Sequence, residues 1–197
     1  MSSIDNKERF LQLYRDNITR EGSDKLLAWL ERTDFFTAPA STKYHSAFEG
    51  GLLLHSLAVY DRLLANMSLN AIKTAIPEES YAESVAVIAL LHDVCKVNFY
   101  TVEQRNVKNE EGKWVQVPYY GIKDQLPYGH GEKSAYILSG FMKLHREETM
   151  AIRWHMGESK DYPGMAAKAF RMYPLAYLLH ISDGEATFLD EQGEEGQ

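Results

Sequence analysis

The chain has 197 residues, of which 45% are hydrophobic and 25% are charged, as is ordinary for a globular protein. These proportions exclude a globally disordered chain, a collagen and a coiled-coil fibre. The formal net charge of −7, from 28 acidic and 21 basic residues, argues against a protein that coats long nucleic acid through bulk charge.

Hydrophobic residues recur every three or four positions along most of the chain, which is the pattern of amphipathic helices around one core. In chain order, the predicted helices cover residues 6–20, 23–33, 47–67, 78–95, 131–144, 146–156, 165–171 and 174–190. The helix over 78–95 is apolar almost all round from Val85 to Leu91. We therefore expect it at the centre of the protein.

One segment breaks the helical pattern. Valines and aromatic residues flank a Glu-Gly turn there, which predicts a β-hairpin over about residues 98–121. Its aromatic faces could stack on a nucleobase, although packing of the hairpin on the helices is the simpler explanation for most of them. The expected fold is mainly α, a compact helical bundle with one inserted hairpin. It forms a single domain over 1–190, followed by an acidic C-terminal tail over 191–197.

The sequence shows no sign of secretion or of membrane insertion. The first residues lack the apolar stretch and cleavage site of a signal peptide, and the apolar runs fall short of the ~20 residues of a membrane span. The single cysteine, Cys95, cannot form an intramolecular disulfide, which favours a reducing compartment. We expect a cytoplasmic protein that does not bind membranes.

Histidine and aspartate residues occur in settings that are unusual for polar groups. His92 and Asp93 end the most apolar helix, where two adjacent polar side chains are costly unless both are satisfied. An imidazole and a carboxylate side by side can bind one metal ion, or the carboxylate can bridge two. A lone histidine in an apolar helix is more often a core residue than a ligand, but here the residues form an ordered series. Its other members are His55, His130, His155 and Asp183.

This series resembles the HD-domain superfamily of metal-dependent phosphohydrolases. The matching segments are GGLLLHS around His55, LLHDVCK around His92 and Asp93, and HISDGEAT around Asp183. The resemblance covers about residues 40–190. The stretch KYHSAFEGGLLLHSLAVY is similar to the HD domains of Gram-positive 3′→5′ exoribonucleases and of stand-alone bacterial and phage phosphohydrolases.

The resemblance implies a ligand set. His55, His92, Asp93 and Asp183 would hold a first divalent ion, and Asp93 would bridge to a second ion held by His130 and His155. Imidazole and carboxylate ligands suit Mn, Fe, Ni, Co or Zn better than Mg. We therefore expect one or two divalent transition-metal ions as the cofactor.

The expected function is hydrolysis of a phosphate ester or anhydride in a nucleotide or short oligonucleotide by a metal-activated water. A 3′→5′ exonuclease acting on single-stranded ends is a second enzyme hypothesis. A metal-dependent nucleotide sensor without turnover is the hypothesis from another class. In each case the partner is a small nucleotide or short oligonucleotide, and no long duplex is expected.

Four further residues lie close to the series. Lys96 would act with Asp93 in catalysis by contacting a substrate phosphate, as the HDxxK resemblance implies, or it would be a cation at a helix end. His45 would line the substrate pocket or have a structural role. His180 would orient Asp183 or pack in the core. Cys95 is expected to be a small buried residue rather than a nucleophile.

Overall fold

The computed structural model describes residues 3–43, 46–69 and 75–190, so His45 and the tail over 191–197 lie outside the described residues. The described chain is mainly α-helical with one two-stranded antiparallel hairpin, which confirms the predicted fold class. The α-helices in the described residues are α1 (Ser3–Asn17), α2 (Ser23–Leu30), α3 (Gly51–Leu69), α4 (Tyr81–Leu91), α5 (His130–Ser139), α6 (Arg146–Trp154), α7 (Met165–Met172) and α8 (Pro174–Glu185).

Helix α4 lies at the centre of the protein, as predicted. Every residue from Ser84 to Leu91 is buried, and the helix packs against α1, α3 and α6. It is shorter than the predicted helix over 78–95. The α-helix ends at Leu91, the backbone leaves the helical region at Asp93 (φ −102°, ψ 17°), and a single 3₁₀ turn, Val94–Lys96, follows.

The other helices enclose the C-terminal end of α4. Helices α3 and α8 pack along each other, α6 packs on α5 and α8, and α5 also contacts the Val94–Lys96 turn. Helix α8 ends five residues earlier than predicted, and a π-helical turn, Ala186–Asp190, continues it. This packing brings the end of α4, the end of α6 and the start of α5 to one place.

The predicted hairpin is confirmed. Its strands are β1 (Tyr100–Lys108) and β2 (Trp114–Ile122), which pair with Tyr100 opposite Ile122 and Lys108 opposite Trp114. Gly112 in the connecting turn has a φ of +76°, which a side-chain-bearing residue adopts at a cost. The base of the hairpin contacts the helical body, where the Tyr100 hydroxyl donates a hydrogen bond to the Ala40 carbonyl. Its far end is more open, and Trp114 there is 68% exposed.

A buried ion pair between Arg20 and Glu148 connects the segment after α1 to α6. The Arg20 guanidinium donates hydrogen bonds of 2.7 Å to both carboxylate oxygens of Glu148. The Ser84 hydroxyl and the His145 backbone amide also donate to this carboxylate. Burial raises the pKa of Glu148, but these hydrogen bonds and the Arg20 charge outweigh burial and hold the pKa below its usual value.

We expect Arg20→Met to lower the free energy of unfolding by about 3 kcal/mol, because Glu148 is then a buried carboxylate without its cation. Arg9→Met is the matched control. It breaks an exposed ion pair with Asp61 and should cost less than about 1 kcal/mol. Urea denaturation measures both variants, and equal losses would show that Glu148 does not need the Arg20 charge.

Candidate metal centre

The six residues predicted as ligands lie together where α3, α4, α5, α6 and α8 meet. Three sets have ligand atoms that all lie within 4.8 Å of one another: His55, His92 and Asp93; His92, His155 and Asp183; and Asp93, His130 and His155. His55, His92, Asp93 and His155 are buried. This group of side chains could hold a metal ion.

Two of the histidines are oriented by the same kind of local hydrogen bond. His92 and His155 each directly follow the last residue of a helix, α4 and α6. Their Nδ1 atoms lie 2.9 Å and 2.7 Å from the backbone carbonyl oxygens of Ala89 and Ile152, three residues earlier. Because a carbonyl only accepts, each Nδ1 carries the hydrogen. Each Nε2 therefore presents its lone pair to the centre of the cluster, as a metal ligand requires.

One half of the cluster forms around the Oδ2 atom of Asp93. This oxygen lies 3.7 Å from His55 Nε2 and 3.6 Å from His92 Nε2, and the two Nε2 atoms are 3.2 Å apart. Asp183 of α8 joins them, with its Oδ1 atom 3.1 Å from His55 Nε2. Three of the four residues expected to hold the first ion, His55, His92 and Asp93, thus have ligand atoms within 4.8 Å of one another, and Asp183 meets this distance together with His92 and His155.

The other half forms around the Oδ1 atom of Asp93. It lies 2.8 Å from His130 Nε2 and 3.5 Å from His155 Nε2. Among the described residues, His155 Nε2 is a buried side-chain nitrogen that makes no hydrogen bond. Buried polar atoms are nearly always satisfied, so this unbonded nitrogen beside a carboxylate fits a metal ligand. Asp93 therefore directs its two oxygens at two different pairs of imidazoles.

The absence of a side chain at Gly131 allows His130 to reach this position. A Cβ atom at Gly131 would lie 2.4 Å from the Arg153 carbonyl oxygen and 2.5 Å from that of Ile152. The first turn of α5 therefore packs directly on the last turn of α6, which a side chain at this position would prevent. The close approach places the rings of His130 and His155 with centroids 5.2 Å apart.

The ionisation states in the cluster suit metal binding. Burial lowers the pKa of His92 to about 3, so its imidazole is neutral at neutral pH. Burial raises the pKa of Asp93, but the charge of Lys96 and the neighbouring imidazoles bring it well below its usual value. The pKa of Asp183 is also lowered, because the hydrogen bond with His55 outweighs burial. Neutral imidazoles and ionised carboxylates are the forms that bind metals.

Lys96 is a buried partner of Asp93 rather than an exposed cation at a helix end. Its Nζ atom lies 2.5 Å from Asp93 Oδ2. Burial lowers the pKa of Lys96, but the Asp93 carboxylate outweighs burial and the net shift is upward. Lys96 therefore stays charged beside the cluster, where its side chain also faces the adjoining cavity.

Two neighbours of the ligands have roles that the sequence did not reveal. Cys95 is buried, as predicted, and its Sγ atom lies 3.4 Å from His130 Nδ1 and 3.8 Å from His130 Nε2. Burial raises the pKa of Cys95 to about 12, so it is a thiol and not a nucleophilic thiolate. His180 donates a hydrogen bond from Nδ1 to the His155 carbonyl oxygen at 2.6 Å. This bond holds the backbone after α6, so His180 positions His155 and not Asp183.

A cavity of about 700 Å³ opens over the cluster. Its inner wall contains five of the six predicted ligands, and His92 lies buried beneath them. Its outer wall contains apolar side chains that were not predicted from the sequence: Ile122, Met156 and Phe188. A small molecule can therefore reach both halves of the cluster from one side.

Comparisons with protein-family models, with curated proteins and with solved structures find no match to this chain. None of the described helices has both the length and the apolar character needed to cross a membrane.

Proposed function

We propose that the protein is a metal-dependent phosphohydrolase of the HD type. It would use one or two divalent transition-metal ions to hydrolyse a phosphate ester or anhydride in a nucleotide or short oligonucleotide. The observation that supports this most strongly is the position of Asp93. One of its oxygens faces His55 and His92, and the other faces His130 and His155, beneath an open cavity.

The donor set fits Mn, Fe, Ni, Co or Zn, because neutral imidazoles bind these ions better than they bind Mg. His55, His92, Asp93 and Asp183 would hold one ion, and Asp93 with His130 and His155 would hold the other. Such ions, when bound, lower the pKa of a bound water and neutralise charge on phosphoryl oxygens.

Lys96 has a role of its own in the proposed reaction. An ammonium group has three N–H donors, and the bond to Asp93 uses one of them. The remaining donors lie at the cavity wall, where they can bind a phosphoryl oxygen of the substrate. The ion pair with Asp93 restricts the otherwise flexible side chain, so less conformational entropy is lost when phosphate binds.

A 3′→5′ exonuclease is a second candidate, because the hairpin provides a surface that continues from the cavity. Tyr100 and Ile122 line the cavity, and the exposed Trp114 lies on the same face of the hairpin by strand periodicity. Bases of a single strand could stack along that face. Release of nucleoside 5′-monophosphates from a diester would identify this activity.

The proposed function predicts hydrolysis that depends on a transition metal. The protein should be stripped with a chelator, reloaded with Mn, Ni or Co, and assayed on a panel of nucleotides and short oligonucleotides. We expect metal to raise turnover by about 100-fold or more, because metal supplies the activated water. Mass spectrometry of the products identifies the bond that is cleaved. A metal-loaded protein that binds nucleotides without forming any product would instead be the sensor.

A further inference from the structure

The cavity has two chemically different ends. The ligand cluster forms its inner end, whereas Ile122, Met156 and Phe188 line its outer part and are 59%, 63% and 65% exposed. These three residues, here called the apolar rim, come from the end of β2, the segment after α6 and the turn after α8. A single exposed apolar side chain needs no explanation, but three from separate elements around one cavity mark a binding surface.

The cavity is also poor in positive side chains. Among its described lining residues, Lys96 is the sole Lys or Arg, and its ammonium already binds Asp93. The phosphoryl group beside the cluster would be neutralised by bound metal and by Lys96. Further phosphates on the same substrate would have to bind through neutral donors such as the hydroxyls of Ser41, Thr42 and Thr187, because no second cation is among these lining residues and the apolar rim offers no donor.

We infer that the substrate is a phosphate monoester with a single phosphoryl group, esterified to an alcohol that carries a bulky apolar or aromatic group, which the apolar rim holds. This inference rests on the proposed function and narrows its substrate class. A nucleoside monophosphate is such an ester, because its sugar carries an aromatic base that can stack on Phe188 and contact the sulfur of Met156. A polyphosphate chain fits the same surface badly.

The reaction that follows consumes one water molecule. The water oxygen forms a bond to phosphorus, and the ester bond between phosphorus and the leaving oxygen breaks. The leaving oxygen receives the proton that the water gives up. The products are an alcohol that carries the apolar group and inorganic phosphate, with no oxidant or reductant involved.

Steady-state kinetics of the Mn-loaded protein on 2-(1-naphthyl)ethyl phosphate, glycerol 3-phosphate and inorganic tripolyphosphate test this inference, and both esters have an aliphatic alcohol as the leaving group. We expect kcat/KM for the naphthyl ester to exceed that for glycerol phosphate by about tenfold or more, because stacking stabilises the larger group. In Phe188→Ala and in Met156→Ala, this preference should fall by about tenfold, mainly through the KM of the naphthyl ester. Leu189→Ala is the matched control, since Leu189 is 66% exposed but does not line the cavity.

The outcomes distinguish a failure of the inferred substrate class from a failure of the proposed function. Equal kcat/KM for the two esters, or faster cleavage of tripolyphosphate, would overturn the inference while leaving a phosphohydrolase. If neither these compounds nor the panel of nucleotides and short oligonucleotides is hydrolysed with any metal, the proposed function fails. Recognition by the apolar rim is then tested by calorimetry, which compares the binding of 1-naphthylphosphonate and methylphosphonate to the Mn-loaded protein. Tighter binding of the naphthyl compound that Phe188→Ala abolishes supports apolar recognition, and equal binding overturns it.

Discussion

Replacing Asp93 by Asn should abolish metal-dependent hydrolysis, with a loss in kcat of about 10³-fold or more. An amide keeps the shape of the carboxylate, but its nitrogen carries hydrogens and has no lone pair to donate. Asp93 directs its two oxygens at separate pairs of imidazoles, so either orientation of the amide removes a ligand from one half of the cluster. The negative charge that would balance a bound cation is lost as well.

The same substitution has a second consequence, which the experiment must separate from catalysis. Lys96 is buried and would lose its carboxylate partner, and an uncompensated buried charge destabilises the fold by ~3 kcal/mol. The double variant Asp93→Asn/Lys96→Met removes that charge. We expect it to recover most of the lost stability in urea denaturation and to remain inactive.

Asp24→Asn is the control for removal of a carboxylate, since Asp24 is exposed on α2 and does not line the cavity. Its turnover and metal content should match those of the unmodified protein. Elemental analysis of each purified variant gives the metal content. A folded Asp93→Asn protein with unchanged turnover would contradict the proposed role of Asp93.

The sequence predicted the ligand cluster because its members stand out locally. His92 and Asp93 follow seven consecutive apolar residues, and His130 lies between glycines, one of which proves to permit the contact between α5 and α6. Residue type and setting single out these side chains, and the resemblance to the HD superfamily groups them into one predicted ligand set. The structure brings the six side chains together.

Other features depend on contacts that the sequence does not encode locally. The end of α4 at Leu91 follows a change in backbone conformation at Asp93, whereas apolar periodicity alone extends the helix to residue 95. The contact between Cys95 and His130 joins residues 35 positions apart. Met156 and Phe188 carry no sequence signal, because an apolar residue outside a helix becomes notable only when a cavity beside it is known.

His130→Ala should separate the two halves of the cluster. If the unmodified protein binds two ions per chain, we expect this variant to bind one, because the loss of His130 leaves Asp93 and His155 to hold the second ion. Hydrolysis should fall by about 10²–10³-fold, since one ion can still activate water but cannot share the phosphoryl charge with a second. The His130 side chain is 37% exposed, so water can fill the space that it leaves.

His145→Gln is the matched control, because His145 lies at the start of α6 and does not line the cavity over the cluster. Titration calorimetry with Mn and elemental analysis count the ions, and metal should also raise the unfolding free energy, by about 2.7 kcal/mol per site at 100 times the dissociation constant. An unmodified protein with one ion, whose turnover survives His130→Ala, would contradict the arrangement with two ions. The reaction would then depend on the half formed by His55, His92, Asp93 and Asp183, and His130 would act only as a hydrogen-bond partner of Asp93.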